Sequence, residues 1–533
     1  MIISLAACGD GERDSDSSGG GNGGSGSGEG DGGSASGTYT LGTTESVTAM
    51  DPAGSYDFGS WNMQYAIFEQ LLAIPAGADE PVGDAAESCE YDDPQTVTCT
   101  LREGLKFSNG NDLTSSDVLF SFERNLAIND PNGSSVLLGS ISNGDAEAQA
   151  LADGAIETPD DTTVVFNLNK PDATFTKVLA TATASIVDED SFPADAIVDD
   201  ADVIGSGPYT LDQFENGQQA VLKANPEYSG DRAPQTETVF VRYYNDPAPL
   251  RTAISSEQVD IAYRTLSPTD LSSLEEEGDV EVLRGEGSEF RYWVWQLNFD
   301  KAGKDVAVRQ AAAQIIDRDA IAERAYDGTV EPALSIVPPG FAGQKDSFES
   351  YGEPSADAAK AILDEAGVQT PVKITLGYTP THYGPNAVDE AQELRDQLNS
   401  SGVFDVQLDD LEWEQYQTAY KEGQYDLFIL GWYPDFLDAD NYLSPFVRDG
   451  GFYENGYSNP EVNQLLDQEV GETDETARNE ILGQIQDIVA EDVPLIPSWN
   501  GQNVAVATSA MEGVQETLDP TYIFRFWEIS KNE

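Results

Sequence analysis

Short strand-like runs alternate with capped helices from Thr38 to the C-terminus, and this alternation restricts the fold more than any other feature of the sequence. Helices that follow strands in this way are typical of α/β domains, in which the helices cover sheets. The length of 533 residues provides enough chain for two to four domains of about 150 residues each. The alternation predicts an α/β protein with mixed sheets; the clearest predicted strands are Thr38–Gly42, Val372–Gly377, Tyr425–Gly431 and Asn503–Ala507.

Several predicted helices have start and stop signals. Thr114 with Asp117 three residues later is a capping-box pattern ahead of an apolar run. A helix from Ser355 is expected to end at Gly367, and another is expected to begin at Asn459-Pro460. We also expect one helix from Trp61 to Leu72 and one continuous helix from Asp305 to Tyr326.

The charge of the chain excludes several classes of function. There are 96 acidic and 27 basic residues, which gives a net charge of −69. An electrostatic nucleic-acid binder or a polybasic membrane-surface protein needs clusters of Lys and Arg that this composition lacks. The acidity indicates either solubility or adaptation to high salt. With one His and three Cys, we expect no metal site and no cofactor.

The N-terminus predicts an anchor and a tether. Residues Leu5-Ala6-Ala7-Cys8 resemble the lipobox of bacterial lipoproteins, in which the cysteine is lipidated. The next 29 residues, 9–37, contain 13 Gly and 7 Ser, a composition typical of a flexible linker with an r.m.s. span of about 30 Å. Residues 1–8 are too short for a whole signal peptide, so we expect the natural start to lie upstream.

Cys89 and Cys99 flank a nine-residue segment that is symmetrical about Pro94. The Asp-Asp-Pro sequence at its centre predicts a turn, which would place the two sulfurs opposite each other on a hairpin. An exported protein meets an oxidising compartment. We therefore predict a cross-strand disulfide, with two free thiols as the alternative.

Six segments in order carry a resemblance to a known family. The chain resembles the family 5 extracellular solute-binding proteins of ABC importers, which include oligopeptide-, dipeptide- and nickel-binding proteins. The matching segments are MDPAGSYDFGSWNMQYAIFEQLL, LREGLKFSNGNDLTSSDVLFSFERN, GSGPYTLDQFENGQQAVLKANPEYSG, DVAVRQAAAQIIDRDAI, GWYPDFLDADNYLSPF and YSNPEVNQLLD.

This resemblance implies a two-lobed, periplasmic-binding-protein-like (Venus flytrap) fold that closes around a ligand. Lobe I would consist of residues 38–68, 201–290 and 498–533, with an extra subdomain at 69–200. Lobe II would span 291–497. The hinge crossings would fall near Phe290 to Trp293 and near Pro497 to Gln502.

The resemblance also implies a ligand site. In the peptide-binding relatives, the aspartate of the Gly-Trp segment, here Asp435, pairs with the peptide's α-ammonium group, and a carboxylate in a closing cleft suits that role. The alternative is a solvated loop acid. Aromatic pocket walls are expected at Trp432 and Trp413, although a Trp beside a strand also suits plain core packing. The remaining expected ligand-binding residues are Tyr433, Tyr56, Asp57 and Phe58.

One loop departs from the family pattern. Dipeptide binders hold the ligand's carboxylate with an arginine in the loop that here runs from Thr379 to Asn386, and this loop contains no arginine. His382 is a candidate for a weaker donor in that place, with an exposed loop histidine as the alternative. Strict dipeptide specificity is therefore not expected. Trp293 and Trp295 share one strand face, which lines either the cleft or the core.

No catalytic motif accompanies the single histidine, so we expect a binding protein and not an enzyme. The predicted function is an extracytoplasmic, lipid-anchored, monomeric substrate-binding protein. It is expected to capture peptides, with oligopeptides as the expected class, by lobe closure and to deliver them to an ABC permease and its ATPase. Two alternatives remain: the same role for a nickel chelate, an opine or an oligosaccharide, or a surface receptor without a transporter.

Overall fold

The computed structural model describes residues 35–145, 149–264, 266–380, 382–384 and 386–532. Three sheets of seven, six and four strands organise these residues, together with two two-stranded ribbons. The seven-stranded sheet combines distant parts of the chain, whereas the six- and four-stranded sheets each come from one continuous part. The predicted lipidation site at Cys8 and most of the predicted tether lie outside the described residues.

A seven-stranded mixed sheet contains the first strand of the described chain. Its central strand, Thr38–Thr43, pairs in parallel with Thr238–Tyr243 and Ile261–Tyr263, and its other pairings are antiparallel. Parallel neighbours require long crossover connections, which is why the sheet draws on segments far apart in sequence. In spatial order the strands are Glu281–Gly285, Asn503–Ala507, Ile261–Tyr263, Thr38–Thr43, Thr238–Tyr243, Gln219–Ala224 and Tyr209–Glu215.

A six-stranded mixed sheet lies within residues 290–500. Its strand Phe290–Trp295 is buried along its whole length, because strands flank it on both edges and helices cover the sheet. Trp293 and Trp295 therefore belong to the core and do not line the cleft. In spatial order the strands are Glu331–Pro332, Leu495–Asn500, Phe290–Trp295, Leu427–Trp432, Val372–Tyr378 and Phe404–Asp410.

A four-stranded antiparallel sheet occupies residues 86–167, with the strand order Ala86–Asp93, Thr96–Leu101, Thr163–Asn167 and Ile156–Asp160. Cys89 lies directly opposite Cys99 on its first hairpin, and a disulfide joins the two sulfurs. Two-stranded ribbons form from Leu72–Ala73 with Val82–Gly83 and from Met511–Glu512 with Ser530–Lys531.

The helices follow the capping signals with two exceptions. Thr114 and Asp117 form the predicted capping box, and Gly367 ends its helix with a left-handed backbone. The predicted helix from Trp61 to Leu72 is wrong in extent, because the observed helix ends at Ile67. The α-helices are Phe58–Ile67, Ser115–Ile128, Phe175–Val178, Pro247–Ser255, Pro268–Glu277, Val306–Ile315, Arg318–Tyr326, Ala356–Ala366, Ala387–Ser400, Trp413–Lys421, Ser444–Val447, Pro460–Glu469 and Glu475–Asp492.

The second exception is the segment predicted as one helix from Asp305 to Tyr326. It forms two helices, Val306–Ile315 and Arg318–Tyr326. The break occurs because Asp317 has an extended backbone and its carboxylate accepts a hydrogen bond from the Ala320 amide, which makes it the N-cap of a new helix.

The chain passes between the two large sheets through residues 286–289 and again through residues 501–502. The first link precedes the predicted hinge residues Phe290 to Trp293, which lie within a strand. The second link, Gly501-Gln502, falls inside the predicted range. Few residues join the sheets at these points, and short links of this kind are where hinge closure is absorbed. The lobe boundaries of the sequence analysis stay a prediction.

Candidate functional site

A cavity of about 1630 Å³ lies between the two large sheets. Its walls come from residues 44–61, 262–271 and 501–522 on one side and from residues 380–386 and 431–452 on the other. Residues between positions 136 and 178 also line the cavity. Three of the six large apolar side chains that are most exposed on the described chain line this cavity: Tyr56, Val136 and Phe452. Exposed apolar groups that converge on a concave surface are typical of a ligand site.

Asp435 lies in this cavity, just after the strand Leu427–Trp432, and neutral groups hold its carboxylate. The Tyr56 hydroxyl donates to Oδ1 at 2.5 Å, and the Asn441 side-chain amide donates to Oδ2 at 2.9 Å. No basic side chain of the described residues lies within ion-pair distance of it. Burial raises the pKa of the Asp435 carboxyl above its ordinary value, although both hydrogen bonds lower it. The site thus contains an enclosed acid without a cation.

Asn441 orders the segment that carries Asp435. Its side-chain oxygen accepts from the Asp435 amide at 2.9 Å and from the Trp432 indole N–H at 3.0 Å, while its side-chain nitrogen donates to the Asp435 carboxylate. Sequence reasoning missed this residue, although it lies in the quoted segment GWYPDFLDADNYLSPF six positions after Asp435. An amide that can donate and accept at once was the available signal.

The residues around Tyr56 have different roles in the structure. Tyr56 is 40% exposed and contacts Asp435 across the cleft. Asp57 caps the helix Phe58–Ile67 by accepting from the Ser60 amide at 2.8 Å, so its carboxylate is already used. The ring of Phe58 packs edge-on against Tyr433, with the centroids 5.5 Å apart. All three residues line the cavity.

The two predicted tryptophans line the cavity in separate aromatic groups. Trp432 packs edge-on against Phe446 and Phe452, with ring centroids 5.2 and 5.9 Å away. Trp413 stacks flat on the His382 imidazole, with centroids 3.8 Å apart and an interplanar angle of 1°. Flat aromatic walls contact varied apolar groups through surface area and do not require one exact shape.

His382 has no charge at neutral pH in this setting. The His382 side chain is solvent-exposed at the cavity wall. Desolvation by the surrounding cleft, and secondarily the nearby Arg291 guanidinium, lowers the pKa of the imidazole to about 4. Arg291 itself lies behind the cavity wall, under the Tyr383 ring at 4.0 Å, and ion-pairs with Glu289 at 3.0 Å. Gly431 permits this close packing, because a Cβ there would lie 2.5 Å from an Arg291 guanidinium nitrogen. His382 can therefore offer a ligand only a neutral N–H donor.

A buried charge cluster fixes the segment that follows Asp435. Arg478 donates to both carboxylate oxygens of Asp438, at 2.7 and 2.9 Å, and to Glu469 at 2.8 Å. Burial, together with the neighbouring carboxylate of Asp440, raises the pKa of Glu469 to about 10, which favours the neutral form of this acid at pH 7. Lys177 of the subdomain reaches the same cluster, 3.3 Å from Asp438.

The described residues contain no group of three or more His, Cys, Asp and Glu side chains arranged to hold a metal ion. Within the same residues, no helix is both long and apolar enough to cross a membrane. Two further residues that sequence reasoning missed line the cavity, Arg264 and Lys170. Neither lies in a segment that carries the family resemblance, so no sequence pattern pointed to either.

Comparison with known proteins identifies the architecture. The family described as "Bacterial extracellular solute-binding proteins, family 5 Middle" matches residues 80–454. The chain is 29% identical over 477 residues to the probable D,D-dipeptide-binding periplasmic protein DdpA of Escherichia coli (strain K12), covering 86% of this chain and 87% of the relative. It is 27% identical over 486 residues to the oligopeptide-binding protein OppA of Bacillus subtilis (strain 168), covering 87% and 88%.

Solved structures agree with this comparison. The ABC transporter substrate binding protein CtaP of Listeria monocytogenes matches with a TM-score of 0.81 at 22% identity, over 94% of this chain and 100% of that one. Haemophilus influenzae OppA in complex with the peptide RPPGFSPFR matches with a TM-score of 0.74 at 20% identity, over 93% and 99%. The chain has the two-lobed fold of periplasmic binding proteins, as the sequence predicts.

Proposed function

This chain belongs to family 5 of the bacterial extracellular solute-binding proteins, and we propose that it is the substrate-binding protein of an ABC importer that captures peptides outside the cytoplasm. Its role is binding without catalysis. The two lobes close around a peptide, and the closed form delivers it to a permease driven by an ATPase. The names of relatives that bind D,D-dipeptides and oligopeptides support this ligand class.

Asp435 is the observation that carries the proposal. An enclosed carboxylate held by a hydroxyl and an amide bears a charge that the described protein does not neutralise. A primary ammonium group supplies that charge and forms strong, charge-assisted hydrogen bonds. The free amino terminus of a peptide is such a group, whereas a neutral oligosaccharide has none.

The size of the cavity supports peptides longer than two residues. Its volume of about 1630 Å³ exceeds the roughly 300–1,000 Å³ of sites that enclose a drug-sized molecule. Val136, from the expected extra subdomain, also lines the cavity, and this side chain is 67% exposed. A peptide whose amino terminus is at Asp435 can therefore extend over apolar surface toward the subdomain.

Contacts between the two sides of the cleft support closure as the binding mechanism. The Tyr56 hydroxyl donates to the Asp435 carboxylate, and the Phe58 ring packs against the Tyr433 ring. These contacts join residues far apart in the chain, and opening of the cleft would break them. A permease that recognises the closed form would therefore distinguish the loaded protein from the empty one.

Mass spectrometry of the small molecules released on denaturing freshly purified full-length protein tests the ligand class. We expect peptides that co-elute with the protein and rebind in calorimetric titration. Sugars or nickel chelates in their place, with no peptide above background, would contradict the proposal. Uptake of a labelled rebinding peptide, measured in cells with and without the gene, tests delivery: uptake that is independent of the gene would favour the receptor alternative.

The proposed attachment to the membrane is through lipid on Cys8. We expect Cys8→Ser to move the protein from the membrane fraction to the soluble fraction. Inhibition of lipoprotein signal-peptide processing should leave the signal peptide attached, because cleavage follows recognition of the lipobox. The membrane-bound protein should then migrate as a larger form on a gel. Fractionation unchanged in Cys8→Ser, together with no change of form when processing is inhibited, would remove the anchor from the proposal and leave the binding role intact.

A further inference from the structure

Arg264 places a positive charge in the cleft on the side opposite Asp435. It follows the strand Ile261–Tyr263 and has a left-handed backbone with φ 60°. Residues other than glycine rarely adopt this conformation, and where they do it is concentrated at functional sites. Arg264 is part of the cavity wall.

Aromatic rings from three distant segments surround the guanidinium. Its central carbon lies 4.7 Å from the ring centroid of Tyr433, 5.1 Å from that of Tyr522 and 5.3 Å from that of Phe58. Ring faces attract a cation but accept none of its five N–H hydrogens in conventional hydrogen bonds. The cage of three rings thus fixes the position of the guanidinium and leaves some of its N–H donors available to a ligand.

Arg264 has one charged partner among the described residues. Glu45 lies 2.7 Å from one terminal nitrogen, and each side chain of this pair is 13% exposed. Burial raises the pKa of the Glu45 carboxyl, and the Arg264 guanidinium opposes that rise, as expected for an ion pair in contact. A guanidinium with a single acidic neighbour retains donors for a second anion, and its planar fork suits a carboxylate.

The rest of the cavity wall makes this cation distinctive. Seven acidic residues of the described chain line the cavity, whereas Arg264 and Lys170 are its basic residues. Lys170 is exposed on the subdomain, and His382 is neutral. Arg264 touches Tyr433, which lies two positions before Asp435. One fixed cation and one unpaired carboxylate therefore belong to the same aromatic-walled part of the cleft.

We propose that Arg264 binds a carboxylate of the ligand, so that this protein selects peptides carrying a negative group as well as their ammonium group. The proposal rests on the proposed peptide-binding function. The arginine would do from lobe I what the loop 379–386 does not do from lobe II. The carboxylate is either the carboxy terminus or an acidic side chain of the peptide.

Calorimetric titration of the full chain with two matched peptide pairs tests this inference. Tetra-alanine with a free carboxy terminus is compared with its C-terminal amide, and Ala-Glu-Ala-Ala-amide is compared with Ala-Gln-Ala-Ala-amide. We expect the carboxylate member of at least one pair to bind about tenfold or more tightly, as charge-assisted hydrogen bonds imply. The first pair reports a terminal carboxylate and the second a side-chain carboxylate.

Variants assign the discrimination to its residue. Arg264→Met should reduce it to within about threefold. Arg395→Met, at a partly exposed arginine paired with Asp396 outside the cavity, should leave it unchanged. Wild-type binding within about threefold in both pairs would overturn the inference while the proposed function stands, and so would discrimination that persists in Arg264→Met. If the wild type binds none of the four peptides, the proposed function falls and this inference falls with it. If Arg264→Met does not fold, Arg264→Lys takes its place: it keeps the charge but lacks the planar fork, so it should reduce the discrimination, and discrimination equal to the wild type would overturn the inference.

Discussion

Asp435→Asn isolates the charge of the central carboxylate with little change in its shape. Two unit charges roughly 4 Å apart attract by about 4 kcal/mol at the effective dielectric constant of about 20 that suits partly enclosed sites. Loss of one partner of such a pair costs about 2–5 kcal/mol in measured interfaces. We therefore expect the dissociation constant of a peptide with a free amino terminus to rise by about 30- to 4,000-fold.

The same substitution should have little effect on folding. Burial disfavours the ionised Asp435 carboxylate in the empty protein, so removal of the charge relieves a cost. The new amide can still accept from Tyr56 but presents donors to the Asn441 amide, which loses one hydrogen bond. These effects offset each other, and we expect a melting temperature within about 3 °C of the wild type.

The assay is isothermal titration calorimetry with one peptide in free and N-acetylated forms. Acetylation should weaken binding to the wild type about as much as Asp435→Asn weakens binding of the free form, and the two changes together should cost little more than either alone. Asp364→Asn, at an exposed acid paired with Lys360, is the matched control. An affinity of Asp435→Asn within about threefold of the wild type would refute the ammonium contact.

Three further predictions follow from the titrating groups and the charge. Binding of an ammonium group needs the ionised form of Asp435, whose pKa is raised. The affinity for a free-amine peptide should therefore be constant near neutral pH and fall on acidification before ordinary carboxyls protonate. Calorimetric titrations of that peptide between about pH 8 and 4 check this, and a flat profile would contradict it. Glu469→Gln mimics the neutral acid, so it should leave the free energy of unfolding at pH 7 unchanged or higher. Asp438→Asn removes the charged partner of Arg478 and should lower that free energy by about 3–5 kcal/mol. Denaturant titration measures both, and equal losses would be inconsistent with a neutral Glu469. Residues 38–533 carry a net charge of −64, which is −69 without the −5 of the tether. Salt screens the repulsion between these charges, so the melting temperature should rise steadily from about 0.1 to 2 M NaCl and should rise more than that of a near-neutral homologue. Equal gains in the two proteins would make the acidity a solubility feature.

Features that depend on neighbours in the chain could be predicted from the sequence. The capping box at Thr114, the helix end at Gly367 and the Cys89–Cys99 hairpin each depend on residues within about ten positions, and the structure contains all three. The family resemblance allows predictions beyond neighbouring residues, because the matching segments imply the fold of the family. Asp435 is placed in the cavity on that basis, and its role there stays a prediction.

Features that depend on which surfaces meet could not be predicted in this way. Strand alternation predicts that Trp293 and Trp295 share one face of their strand, but it does not predict what that face packs against. Both tryptophans are in the core because their strand is central in a covered sheet. The contact of Tyr56 with Asp435 joins residues 379 positions apart. The cage around Arg264 draws on segments near positions 58, 433 and 522. Local free energies fix helices, turns and hairpins, whereas a cleft is fixed by the packing of whole sheets, so its charge pairs and aromatic walls exist only in the tertiary structure.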